Sequence, residues 1–322
     1  MIWASGSHGV VLRSVDDGNH WKQMTVPGAE DLDFRDIEAF DANTAYLMST
    51  GDSNKSRIYK TTDAGKTWKL QYSHKRKDFF LDSLACDSNV HCVALSDPVD
   101  DKFLVLETKD GETWNELPRD KMPPALSKEG AFAASGTAIA LCESGIYFGT
   151  GGPAARIFHS KDGGHSWTAI ETPIGPAGAS SGIFSMACYG SENVVAVGGD
   201  YKLPADSSKV AIYSDDAGST WQLAKIHPGG YRSAVASISY GDLVAVGLNG
   251  TDVSHDRGVT WQHTDPLSLN AVASSGNVAW AVGPKGTIAK LNNRFQYEIR
   301  LLPQTSPVFA ALPEPNFPIQ ED

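Results

Sequence analysis

The sequence predicts an all-β fold: a seven-bladed β-propeller of four-stranded antiparallel blades. Three observations carry this. An octet of pattern (S/T)-x-D-x-G-x-(T/S)-W recurs along the chain, and short apolar runs ending in glycine precede its copies at similar offsets. The 322 residues also divide into seven units of about 46, a period proper to repeat architectures.

The octets come first, because they set the register of everything else. They run Ser14–Trp21, Thr61–Trp68, Ser160–Trp167, Ser214–Trp221 and Ser254–Trp261, with a copy one residue shorter at Thr108–Trp114. Six of the eight Trp close them, at spacings of 40 to 54 residues. The chemistry is that of a tight turn between the third and fourth strands of a blade. Asp16, Asp63, Asp110, Asp162, Asp216 and Asp256 accept hydrogen bonds from N–H groups two or three residues on, Gly supplies positive φ, and Trp covers the turn. A scaffold is built many times and an active site once, so these six aspartates read as structural.

Before the octets lie β-rich runs at Gly9–Arg13, Arg57–Lys60, Phe103–Leu106, Arg156–His159 and Val210–Tyr213. A second apolar run comes earlier in the unit, as in Ala45–Gly51, Val194–Gly199, Leu243–Gly247 and Val278–Gly283. A third, rich in small residues, comes earlier again: Asp36–Phe40, Ser83–Cys86, Gly182–Cys188, Ser233–Ser237 and Asn270–Ala273. The segment after Trp supplies the fourth strand. A seventh unit follows the sixth octet, with its own octet decayed to Leu291–Phe295 and a last strand over Phe295–Leu301. Trp280 in AWAVG matches Trp3 in IWASG, which places residue 1 in the second strand of blade 1. The propeller is thus expected over residues 1–302. The Pro-rich tail 303–322 follows, in which Ser306–Leu312 is a candidate inner strand for blade 1.

This order puts the octets on the bottom face. Bottom turns are minimal (41–43, 87–89, 190–193, 275–277), whereas connections at 97–101, 115–129, 149–154 and 199–206 are long and mark the top as the face for binding. Polar residues before the inner strands ring the channel mouth there. Arg35, Tyr231, Arg232, Asn270 and Tyr201 are candidate ligand-binding residues for an anionic or sugar-like group. Asp36, Asp82, Glu129 and Asp200 are the candidate catalytic carboxylates, should the chain be an enzyme.

Net charge −11 disfavours nucleic acid, and no apolar stretch approaches the length of a membrane span. No CxxC, HExxH or His cluster suggests a metal, no phosphate-binding loop is present, and no nicotinamide, flavin or haem motif suggests a cofactor. The basic run His74–Lys77 reads as a solvated face or a partner contact. Cys86 and Cys92 span one hairpin turn, so either a disulfide or two buried thiols is consistent with the spacing.

The octet resembles the Asp-box, or BNR, repeat of sialidases and related propellers. The chain as a whole is similar to bacterial propellers grouped with the photosystem II stability/assembly factor-like proteins. Leu32–Asp41, Gly130–Gly136, Phe148–Gly152, Ser181–Ser185, Val197–Tyr201 and Gly230–Val235 carry that likeness. The resemblance implies a seven-bladed ring, export from the cytoplasm to the periplasm or beyond, and a role in binding or assembling other proteins. The reading taken here is a non-catalytic monomer that binds a partner protein or small ligand at its top face. Members usually carry an export signal and a first inner strand, and this chain begins after both. The alternative is a glycoside hydrolase, although the Arg-Ile-Pro segment of sialidases is absent.

Overall fold

The computed structural model describes residues 1–291 and the backbone of 297–299. Seven antiparallel sheets succeed one another in chain order, as a seven-bladed propeller requires. Blade 1 comprises Ile2–Ser5, Val11–Ser14 and Lys22–Met24. Blade 2 runs from Asp33–Ala39 through Ala45–Thr50 and Arg57–Thr61 to Lys69–Ser73. Blade 3 repeats the pattern from Leu81–Cys86 to Asn115–Glu116, and blade 4 from Ile139–Cys142 to Thr168–Glu171. Blade 5 opens on the long inner strand Gly178–Tyr189, and Gly151–Gly152 adds a short fifth strand to its inner edge. Blades 6 and 7 open on Ala234–Ser239 and Ala271–Ser275, and Tyr297–Ile299 is the outer strand of blade 7. The proposed closing strand at 306–312 and the tail 303–322 lie outside the described residues, as does most of the decayed seventh octet. No helix among the described residues is long and apolar enough to cross a membrane.

Each blade is sandwiched between two others, so its middle strands are buried on both faces. This is why Val194–Val197 and Leu243–Val246 read as unbroken apolar runs instead of alternating ones. The core is accordingly six seams, one between each successive pair of blades from 1–2 to 6–7. The ring closes between blades 7 and 1, where Trp280 meets Trp21 edge-on at 6.3 Å and Lys290 pairs with Asp17.

The octets are turns, with a geometry that differs from expectation in two respects. In the five full copies the aspartate accepts from the N–H four residues on, as from His20 and Thr67 (both 2.9 Å), because the turn is one residue wider than an ordinary Asx turn. Only the short copy follows the expected offsets, Asp110 accepting from Glu112 (2.8 Å) and Thr113 (2.7 Å). Left-handed backbone also occupies two successive positions, as in Ala217 (φ 55°) and Gly218 (φ 73°). The flanking hydroxyls complete the lock. Thr61 Oγ1 accepts from Gly65 N–H (3.0 Å), and Thr67 Oγ1 donates to Asp63 Oδ2 (2.6 Å). Each octet glycine presses on the preceding blade. A Cβ on Gly18 would lie 2.4 Å from Trp280, and one on Gly218 would lie 2.7 Å from Tyr147. The octet is a turn and a blade-to-blade contact at once.

All four cysteines are paired. Cys86 bonds its cross-strand neighbour Cys92, the first of the two readings left open by the sequence. Cys142–Cys188, which no spacing announced, staples the inner strand of blade 4 to that of blade 5.

Candidate functional site

The inner strands begin on the face opposite the octets, and three of them carry a β-bulge near that end. The residue left unpaired is Arg35 in blade 2, Asp82 in blade 3 and Phe184 in blade 5. A bulge re-aims side chains, so positions that look equivalent by alternation point differently. The residue after each bulge has one recurrent task. Asp36 Oδ2 accepts from Leu84 N–H (2.8 Å), Ser83 Oγ from Ile139 N–H (3.0 Å) and Ser185 Oγ from Val235 N–H (2.9 Å). Each bond ties one inner strand to the next blade.

Asp36, one of the candidate catalytic carboxylates, is placed by this belt as a buried strut between blades 2 and 3. Burial, and then the charge of Glu38, drives its carboxyl well above the ordinary range, and burial pushes Glu38 up to about 7. Asp82 is 1% exposed and neither carboxyl oxygen has a hydrogen-bond partner. The N–H of neighbouring Asp97 is committed to the Phe80 carbonyl at 3.0 Å. Burial, and secondarily Asp97, raises Asp82 strongly, while Asp97 itself is pushed up to about 6. Glu129 is enclosed and fully engaged. Its oxygens pair with the Arg156 guanidinium and accept from Thr150 Oγ1 (2.6 Å) and Leu126 N–H (2.8 Å). Of the four candidate carboxylates, only Asp200 retains surface, and one of its oxygens accepts from Lys202 N–H (2.9 Å).

The proposed ligand-binding residues divide similarly. Arg232 is wholly buried, bound to Asp252, the Tyr231 carbonyl (2.8 Å) and Asn249 (2.6 Å), so it braces blade 6. Tyr231 is also inside, its ring edge-on to Phe184 at 4.7 Å and its hydroxyl without a partner. Burial holds that phenol well above 10. Arg35 is partly exposed, held by Asp33 (2.7 Å) and the Ala133 carbonyl (3.3 Å). Tyr201 and Asn270 are partly exposed at the same end of the ring. The two arginines therefore do not converge, because each found a carboxylate on its own blade.

Three further groups matter that residue-by-residue reading missed: Asp97, the salt-bridge partners Arg156 and Asp252, and Phe132, which stacks on Phe184 at 3.9 Å. Among loops, 97–101 is no long connection. The strands run to Val99 and from Lys102, leaving a two-residue turn with Asp100 and Asp101 both at positive φ. The longest connections at this face are 117–138, 201–210 and 224–233. In the basic run, Arg76 is spent on Asp78 and Asp100. No group of three or more His, Cys, Asp or Glu among the described residues could hold a metal.

An inner-strand belt of hydroxyls and one carboxyl lies beneath a rim with three long connections. A structure of YCF48 bound to a D1 peptide superposes with TM-score 0.58 at 18% identity, covering 89% of this chain and 86% of that one. YCF48 from Cyanidioschyzon merolae gives 0.63 at 15% identity, with 91% of each chain covered. The chain has the fold of the YCF48 propellers. A xyloglucanase from Xanthomonas campestris matches at 15% identity and TM-score 0.40, over 92% of this chain and 62% of that one. That last value is too low to carry an argument. No protein-family model and no curated protein sequence matches the chain.

Proposed function

We propose that this propeller binds a partner polypeptide on the face opposite its octets and performs no catalysis. The observation that carries the reading is the state of the candidate carboxylates. Glycoside hydrolysis needs two carboxyls facing one open cleft, one of them ionised, and Asp36, Asp82 and Glu129 are each enclosed or committed to holding blades together. What remains at the rim is suited to reading an extended chain: Arg35, Asp200, Tyr201, Asn270 and the connections around them. The YCF48 structure with its D1 peptide supports a protein partner for a ring of this build. Two disulfides support residence in an oxidising compartment, periplasmic or extracellular.

A peptide array of extended and terminal segments from membrane and exported proteins tests this, alongside a panel of chromogenic glycosides. The expected result is peptide binding that Arg35→Ala and Tyr201→Ala weaken about tenfold or more and that octet-face Lys66→Ala leaves alone. Glycoside turnover abolished by Asp200→Asn would overturn the reading.

A further inference from the structure

The inner strand of blade 3 opens Leu81-Asp82-Ser83, and its bulge leaves Asp82 without a ladder partner. Leu81 pairs with Ser96 and Ser83 with Leu95, so Asp82 is turned out of the alternation its neighbours keep. Asp82 is the only carboxyl among the described residues with two buried oxygens that no donor reaches. Asp97, which follows Ser96 on the second strand, stands close enough for its charge to act on Asp82 directly. Its Oδ1 accepts from Ala131 N–H (2.9 Å), a bond that favours the ionised carboxylate. Asp36 of blade 2 brings a third carboxyl to this end of the ring. Its Oδ2 accepts from Leu84 N–H (2.8 Å), two residues beyond Asp82. No cation answers this charge. Arg35 is engaged by Asp33 and Arg156 by Glu129. Arg119 donates to the Val99 carbonyl (2.6 Å), and Lys102 to the Arg119 carbonyl (2.6 Å). Neither Asp82 nor Asp97 forms an ion pair among the described residues.

We propose that Asp82 and Asp97 hold a hard divalent cation, of the calcium or magnesium class, at the inner end of blade 3. A carboxylate taken out of water needs a counter-charge, and the orphan oxygens of Asp82 have none from the protein. Donors that are all oxygen, with neither thiolate nor imidazole among them, select hard ions over zinc or copper. Two carboxylates suffice for such ions, which complete their shells with carbonyl oxygens and water. At 1% exposure, Asp82 is enclosed in a way that suits a bare ion better than the long amine of a partner's side chain. The ion ties two strands of blade 3 together. Through Asp97 it also steadies Ala131, at the head of the segment whose Ala133 carbonyl accepts from Arg35 (3.3 Å) at the rim. This site is independent of the peptide reading and adds a ligand of a different class.

The full chain, stripped with EDTA and held at constant ionic strength with potassium chloride, is titrated with calcium chloride or magnesium chloride. Melting temperature and isothermal titration calorimetry are the readouts. The expected result, for at least one of the two ions, is a single bound ion per chain and a saturable rise of about 4 °C or more near 100 times Kd. Asp82→Asn should abolish the rise, and Asp97→Asn should weaken binding about tenfold or more. Glu192→Gln, on the octet face, should leave both unchanged. Should the Asp82 and Asp97 variants fail to fold, hydrogen exchange of the wild type decides: the ion should raise protection at 81–84 and 131 and leave the octets alone. The proposal is overturned by no saturable rise with either ion, by a rise that Asp82→Asn retains, or by protection gained at the octets instead.

Discussion

Gly163 and Gly218 separate two demands that the octet places on a residue. Both sit at positive φ, but a Cβ on Gly163 meets nothing within 4 Å, whereas one on Gly218 meets the buried Tyr147 ring. Gly163→Ala should therefore cost about 1 kcal/mol from backbone strain alone, and Gly218→Ala about 2–4 kcal/mol. Urea unfolding of the two variants checks the difference. At Asp252 the demand is electrostatic. With Arg232 wholly buried against it, Asp252→Asn leaves a cation poorly compensated and should cost about 3–5 kcal/mol. The same denaturation experiment should show the loss without any change in rim binding. At this scale the sequence was legible wherever a side chain bonds within its own turn, which is why Asp63 and Thr67 were found together. It was illegible at Arg232, whose partner lies 20 residues away on another strand and carries no motif.

Among the elements, the inner strands divide what could be read from what could not. Their existence follows from small apolar runs at a fixed offset before each octet. Their bulges do not, because one extra residue leaves no trace in composition and still turns the following side chains to another face. That is why Asp36 and Asp82, adjacent to a channel mouth by simple alternation, proved to be a strut and an enclosed acid. The disulfides make the same point. A single hairpin makes Cys86–Cys92 one of two readings, while Cys142–Cys188 depends on the register of two blades. The second closes a loop of 46 residues against 6 for the first. Replacing Cys142 and Cys188 by serine should cost about 1–2 kcal/mol more than replacing the other pair. Thermal or urea denaturation of the two double variants reads this directly.

For the whole molecule, two populations of carboxyls pull the pH profile in opposite directions. Hydrogen bonds within the octets hold Asp63 and Asp162 down at about 2, so the stability they lend is present at neutral pH and lost on acidification toward that value. Burial raises Asp97 to about 6 and Glu38 to about 7, so their contribution is complete in mild acid and disappears as pH climbs through those values. The melting temperature should accordingly peak between about pH 4 and 6 and fall on both sides, and calorimetry across that range would reveal it. The ring was legible because one contact, octet glycine on preceding blade, is repeated until it closes at Trp280. The site was only partly legible, since its placement on one face follows from topology while its chemistry depends on which side chains the interior consumes.

Hydrogen exchange of the chain, free and saturated with the tightest peptide from the array, asks where recognition occurs. New protection at 33–36, 199–206 and 268–271, with the octets unchanged, is the predicted result. Protection concentrated at 14–21, 61–68 and 214–221 would contradict it, because the scaffold face would then be the face that binds.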